Sequence, residues 1–296
     1  MGAAVTASGR AAGAVTVVRR ISELREACDA ERAAGRTVGF VPTMGAFHDG
    51  HRSLMRRARA ERDVAAVSIF VNPLQFGPGE DFGAYPRDLD RDLAMAGAEA
   101  VDLVFVPDAE EMYPGGKLEV SVDPGPLGER LEGAVRPGHF RGVATVVAKL
   151  FNAVGPAAAY FGEKDAQQLA LIRRMAGDLS FPVEVVGCPI VREPDGLALS
   201  SRNVYLSERE RTAALCLSRG LRAGGDLVAN GERDPRVIEE AIRNLVQAEP
   251  LAHIDYAAVV DEDSFEEIRR IERPARALVA ARVGRPRLLD NLLLAP

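Results

Sequence analysis

From residue 15 onward the chain alternates short β-branched or apolar runs with longer stretches whose apolar positions recur at helical spacing. Residues 15–18 predict an opening strand, and Ser22 is placed to cap a helix ending near Gly35. Residues 37–41 predict a second strand running into Pro42-Thr43-Met44-Gly45, with a helix from about 51 to 62. Residues 64–71 form an essentially continuous apolar run, the pattern of a parallel strand covered on both faces. The rhythm repeats with helix at 88–97, strand at 103–106, helix at 138–154, strand at 158–161, helix at 166–179 and strand at 183–186. Such alternation implies βαβ units with right-handed crossovers, hence a Rossmann-like, doubly wound parallel sheet of the α/β class. In these sheets ligands sit beyond the carboxyl ends of the strands.

After about residue 190 the pattern changes. Pro194-Asp195-Gly196 reads as a turn, Ser207 caps a long helix over 208–229, and a second helix covers 235–247. Strands are expected at 254–260, 278–283 and 287–293, giving a smaller C-terminal α+β domain with antiparallel strands. The expected division is a flexible tail at 1–14, a Rossmann-like domain at 15–189 and the smaller domain at 190–296.

Composition narrows the function classes. At 47% hydrophobic and 27% charged, the 296 residues exclude a disordered, collagen-like or membrane chain. No apolar run approaches the ~20 residues that span a bilayer. A net charge of −6 argues against nucleic acid as partner. The opening Met1-Gly2-Ala3-Ala4-Val5-Thr6 fits a minimal myristoylation pattern, but in Ala/Gly-rich sequence it reads as a loose tail. A signal peptide is not expected, since residues 1–16 lack a Leu-rich core. Cys28, Cys188 and Cys216 are odd in number and form no CxxC pair, which excludes a disulfide framework and fits a reducing cytoplasm.

The chemistry concentrates in Val41-Pro42-Thr43-Met44-Gly45-Ala46-Phe47-His48-Asp49-Gly50-His51, which leaves a predicted strand and delivers two histidines at the mouth of a helix. Three residues apart, His48 and His51 project from one side of the first turn, where free N–H groups and the helix dipole favour an anion. Two imidazoles there suit a polyphosphate. A zinc pair is set aside because no third ligand stands nearby; a purely structural cap remains open. Gly162-Glu163-Lys164-Asp165 lies at a strand end before a helix, a natural ligand loop with a compact cation. Ser200-Ser201-Arg202 offers two hydroxyls and a guanidinium to phosphate.

The His-x-Gly-His element is similar to the signature of the class I aminoacyl-tRNA synthetase and nucleotidylyltransferase superfamily. With Pro42-Thr43-Met44-Gly45 before it, the stretch resembles the pantothenate synthetase (pantoate–β-alanine ligase) family. Four more segments agree in order: Phe70-Val71-Asn72-Pro73-Leu74-Gln75-Phe76, Arg136-Pro137-Gly138-His139-Phe140, Phe161-Gly162-Glu163-Lys164-Asp165-Ala166-Gln167-Gln168 and Ser200-Ser201-Arg202-Asn203. The resemblance runs from about residue 15 to the C-terminus.

It implies a cytoplasmic, homodimeric enzyme of two steps. ATP and (R)-pantoate give pantoyl adenylate and pyrophosphate; β-alanine then attacks the acyl carbon, releasing AMP. His48, His51, Lys164, Ser200, Ser201 and Arg202 become the expected catalytic residues. ATP is expected along residues 42–51, Gly162, Glu163, Lys164, Asp165, Val191, Leu199 and the Ser200–Arg202 loop. Leu199 stands where the family commonly has Met, a volume-conserving change. Gln75, Gln168, Asn72 and Arg136 are expected at pantoate or β-alanine, Arg136 holding down a substrate-covering loop or a phosphate there, with Asn72-Pro73 and Phe76 walling an apolar pocket. Asp92 falls where the family has an acidic residue near Mg²⁺, although Arg91 replaces its usual acidic or amide neighbour. His139 reads as a loop-orienting residue, and His253 has no assigned role. The rival enzyme is a nucleotidylyltransferase of coenzyme or NAD assembly. An RNA-binding module and a non-catalytic ATP-binding regulator are the rivals from other classes.

Overall fold

The computed structural model describes residues 15–116 and 118–296, so the expected tail at 1–14 lies outside the described residues. The first sheet has six strands: β1 (Thr16–Val18), β2 (Val38–Thr43), β3 (Val64–Ile69), β4 (Leu103–Phe105), β5 (Ala157–Gly162) and β6 (Val183–Cys188). All pair in parallel, in the order β1-β4-β3-β2-β5-β6. The intervening helices are α1 (Ile21–Ala33), α2 (Asp49–Glu61), α3 (Leu89–Ala98), α4 (Ala109–Met112), α5 (Glu132–Val135), α6 (His139–Val154) and α7 (Ala166–Asp178).

The apolar runs are explained by the pleat. Phe40, Ala66, Phe105 and Phe161 enter one core with α1 and α6, while their neighbours Val41, Val67, Val104 and Tyr160 enter the other with α2 and α3. From β2 the chain steps outward through β3 and β4, then returns through α6 to β5 on the other side. The winding therefore reverses between β2 and β5, and a crevice opens there at the strands' carboxyl ends.

The C-terminal part holds α8 (Glu208–Ala229), α9 (Pro235–Gln247), β7 (Ala252–Asp261), β8 (Ala275–Val283) and β9 (Arg287–Leu294), with an antiparallel sheet in the order β7-β8-β9. One face of this sheet packs on α8 and α9 through residues such as Leu221, Ile238, Ile242 and Val279. The other meets the first unit, where Val260, Phe265 and Leu278 contact Ala166 at the start of α7. Being covered on both sides, β8 is buried along almost its whole length.

Most predicted elements are present, with ends moved by one to three residues. Ser207 caps α8 as expected, its hydroxyl accepting the Glu210 N–H while Glu210 reaches back to Ser207. Ser22, by contrast, is no cap. The α1 helix begins at Ile21, two residues earlier than a Ser22 cap implies, and Glu23 instead accepts the N–H groups of Arg19 and Arg20 at 2.9 and 3.1 Å. The short α4 and α5 fall outside the predicted pattern, since four residues show no helical period. Cys28, Cys188 and Cys216 are free and buried.

Candidate active site

The loop after β2 is shaped by its glycines. Gly45 has φ +80°, and a Cβ there would sit 2.8 Å from Asp92 Oδ2 and 3.0 Å from Ile69 Cγ2. The loop then delivers His48 as the residue capping α2. The Gly50 N–H donates to His48 Nδ1 at 3.1 Å, and the His48 N–H approaches His51 Nδ1 at 3.4 Å. The structural cap and the chemical pair are thus one arrangement.

That arrangement sets the protons. Burial, followed by the Lys164 charge, lowers the His48 pKa to about 4. Burial, His48 and Lys164 lower that of His51 to about 3. Both rings are therefore neutral at pH 7. With each Nδ1 facing a backbone N–H, the hydrogen-bond network assigns each ring proton to Nε2. Two neutral N–H donors, their rings 4.2 Å apart, line the crevice.

Gly50 is what allows His48 to lie against the helix. A Cβ at this position would stand 2.8 Å from His48 Cε1 and 2.9 Å from Nδ1. Gly50→Ala is expected to swing His48 out of place and, on the role the resemblance gives that ring, to slow turnover by about tenfold or more. The thermal midpoint should hold or rise, because alanine suits a helix better. Normal turnover in this variant would dissociate His48 geometry from the chemistry.

Across the crevice, Gly162 ends β5 and the Glu163–Asp165 turn carries Lys164, whose Nζ lies 3.4 Å from Asp165 Oδ1. Pro42, Thr43, Met44, Gly162, Lys164 and Asp165 all line a cavity of about 240 Å³. Val191, Leu199, Ser200, Ser201 and Arg202 close it from the C-terminal side. Ser201 Oγ donates to the Ala46 carbonyl at 3.1 Å, tying this loop to the histidine loop. The Arg202 guanidinium forms a two-point pair with Asp81 at 2.9 and 3.0 Å. A second cavity, of about 510 Å³, adjoins the first and shares Gln75, Lys164, Gln168 and Arg202 with it.

Gln75 and Gln168, remote in sequence, meet in both cavities. Gln75 Oε1 accepts from Asn72 Nδ2 at 3.1 Å, which fixes the carboxamide's orientation. Several other expectations need correction.

Asn72 lines the crevice but is 1% exposed. It is saturated by Gly142, Tyr113, Leu74 and Gln75, so it positions Gln75. The Arg136 guanidinium pairs with Glu80 at 2.6 and 2.8 Å and donates to the Gln75 carbonyl. It secures the loop, one of the two roles expected of it, and lines the second cavity. His139 accompanies it as expected, with Nδ1 2.8 Å from the same carbonyl; burial followed by the Arg136 charge lowers its pKa to about 4.

Gly45, Ala46, Phe47, Asp49 and Glu163 do not line either cavity. Phe47 lies in the core, Asp49 is exposed and pairs with Arg52, and the others shape the backbone. Asp92, expected near Mg²⁺, is 2% exposed, and its two oxygens accept the Ala46 and Phe47 N–H groups at 2.8 Å. It braces the loop from behind and also lies outside both cavities. Among the described residues no group of three or more His, Cys, Asp or Glu is arranged to hold a metal ion.

The apolar wall comes from Phe70, Val143, Val147, Leu150 and Phe161, not from Pro73 or Phe76. Phe76 instead stacks edge-on with Phe82 and Tyr85. Asn291, missed by sequence reasoning, reaches the lysine turn from β9 and donates to the carbonyls of Glu163 and Lys164. The available signal was a polar Asp290-Asn291 pair inside a strand that is otherwise leucine after its first residue, Arg287.

A doubly wound sheet whose reversal point carries neutral histidines and a lysine defines a nucleotide-handling α/β protein. The pantoate-beta-alanine ligase family model matches residues 16–293. The pantothenate synthetase of Roseiflexus sp. (strain RS-1) is 56% identical over 278 residues, covering 94% of this chain and 99% of that protein. That of Thermotoga neapolitana is 52% identical over the same length, with 94% and 99% covered. The crystal structure of pantothenate synthetase from Thermus thermophilus superposes with a TM-score of 0.89 at 50% identity, covering 95% of this chain and all of that one. The Francisella tularensis pantoate-β-alanine ligase, complexed with β-γ ATP and β-alanine, gives 0.78 at 33% identity, covering 95% and 98%. The chain belongs to the pantoate–β-alanine ligase family.

Proposed function

We propose that this enzyme condenses (R)-pantoate with β-alanine by way of a pantoyl adenylate formed in the crevice between β2 and β5. The observation that carries the reading is the meeting of His48, His51 and Lys164 with Gln75 and Gln168 in one cavity system. In the first step a pantoate carboxylate oxygen attacks the α-phosphorus of ATP. The new P–O bond forms as the bond to the β-phosphate breaks, and pyrophosphate leaves with the electron pair. Charge grows on the phosphate oxygens, where two Nε2–H donors and the Lys164 ammonium stabilise it more than in the ground state.

Ser200, Ser201 and Arg202 support the phosphates, and Arg202 exchanges Asp81 for phosphate oxygen as it does so. Gln75 and Gln168 hold the pantoate hydroxyls and carboxylate. Being neutral, they orient the carboxylate without quenching its nucleophilicity. The valine and phenylalanine wall covers the gem-dimethyl group. Val191 and Leu199 flank adenine, and Gly162 and Asp165 hold the ribose. In the second step the neutral β-alanine amine attacks the acyl carbon; the C–N bond forms as the acyl C–O bond to AMP breaks, AMP leaves with the electron pair, and the proton of the former amine passes to solvent water.

Magnesium enters this reading carried on the polyphosphate, as suits an ion that keeps most of its waters, and no step above is routed through it. A division near residue 190, with the C-terminal part as lid, a homodimer and a cytoplasmic location complete the reading. They rest on the family resemblance and on the buried free thiols.

The direct test is pantoate-dependent exchange of labelled pyrophosphate into ATP with no amine present. We expect exchange from the enzyme alone, then free AMP and pantothenate when β-alanine is added. Folded protein that forms pantothenate without any exchange would eliminate the adenylate. A dinucleotide product in place of AMP would favour the nucleotidylyltransferase instead.

A further inference from the structure

We propose that Asn291 is a positioning residue for Lys164, holding from β9 the two peptide groups that aim the lysine into the crevice. The inference rests on the role given to Lys164 above. Asn291 Nδ2 donates at 2.8 Å to the Glu163 carbonyl and at 2.8 Å to the Lys164 carbonyl. These belong to the planar units on either side of the Lys164 Cα, so fixing both restrains the lysine's own φ and ψ. A primary amide has two N–H donors, and both are committed here.

The clamp is itself held. Arg276 Nη1 donates to Asn291 Oδ1 at 2.6 Å, and Arg276 forms a two-point pair with Glu262 at 2.6 Å. In the ladder Asn291 faces Leu278 and Leu293 faces Arg276, which puts Arg276 and Asn291 on one face of the sheet as diagonal neighbours. The Asn291 N–H bonds Asp290 Oδ1, and its carbonyl accepts from Arg192 at 3.3 Å. Asn291 is 1% and Arg276 5% exposed. A fully satisfied polar group this deep defines one geometry, and losing one partner leaves the others unpaired. The second unit thereby sets the aim of a cation that belongs to the first.

Asn291→Asp keeps the shape and the Arg276 partner, but removes both donors and turns a carboxylate oxygen towards two carbonyls. We expect kcat for pyrophosphate exchange to fall about 10- to 100-fold. Aminolysis of supplied pantoyl adenylate by β-alanine, which needs no pyrophosphate displacement, should stay within about twofold of wild type. In the Lys164→Ala background the same substitution should add nothing, because the two act as one unit.

Equal losses in both half-reactions, unchanged exchange, or additive losses in the double variant would overturn the proposal. If Asn291→Asp melts early, Asn291→Ser, which retains one donor and no charge, is carried through the same measurements. Wild-type exchange by Lys164→Ala would fell the parent reading. Silent exchange by Lys164→Ala beside full-rate Asn291→Asp would overturn the positioning alone.

Discussion

Lys164→Ala should slow pantoate-dependent pyrophosphate exchange by about 10²- to 10³-fold while the protein stays folded. Lys164 sits in the turn between β5 and α7, with its side chain 20% exposed and Asp165 at 3.4 Å as its ion-pair partner. A pair of that length at a partly open site contributes little to stability, so truncation should cost less than about 1 kcal/mol. The positive charge lowers the pKa of both His48 and His51, which places it electrostatically at the same spot as the two imidazoles. It is therefore available to an anion that enters the crevice.

Charge shifts onto the departing pyrophosphate only during displacement, so in the proposed role the lysine would act mainly on the transition state, and kcat should fall more than the KM for ATP rises. His51→Ala should lose a comparable factor through one Nε2–H donor. Exchange kinetics on the folded variants, checked by circular dichroism, decide the matter. A rate within about threefold of wild type would remove Lys164 from the mechanism.

The parts of this site that were legible in the sequence are those whose chemistry is local. His48, Gly50 and His51 lie within four consecutive residues, and their spacing alone dictates a cap, a cleared space and a pair of rings on one helix turn. The parallel sheet was legible for the same reason, since an apolar run such as 64–69 reports burial on both faces wherever it ends up.

What the sequence concealed depends on residues that meet only in three dimensions. Asp92 looks like a ligand until its carboxylate is found holding the N–H groups of a loop 45 residues away. Arg136 reads from sequence as a loop anchor or an anion-binding residue alike, and only the fold brings Glu80 to its guanidinium. The apolar wall from α6 was hidden by excess signal. That helix is buried on nearly every side, so no periodicity separates the residues facing the crevice from those facing the core.

Acidification should destabilise the substrate-free enzyme well before its carboxylates titrate, and the histidines of the site should account for much of the loss. In the unfolded chain each imidazole has a pKa near 6.5, whereas the folded protein holds His48 near 4 and His51 near 3, chiefly by burial. Their folded values are depressed, so the unfolded state binds protons first as the pH falls. The stability they contribute is fully present above about pH 6.5 and is lost progressively below it, until the folded rings also protonate near pH 4 and 3.

At pH 5 each ring gives up about 2 kcal/mol, an amount that matters against a total of about 5–15 kcal/mol. His139, held near 4 by burial and Arg136, adds in the same direction. Urea midpoints measured at pH 7 and pH 5 should therefore diverge strongly in the wild type. They should diverge much less when His48→Gln and His51→Gln are combined, with the His139 contribution remaining. An equal drop in the wild type and the double variant would show that the two rings carry protons already at pH 5. Their folded pKa values would then lie near the ordinary 6.5, and the depression by burial would be lost with the pH dependence.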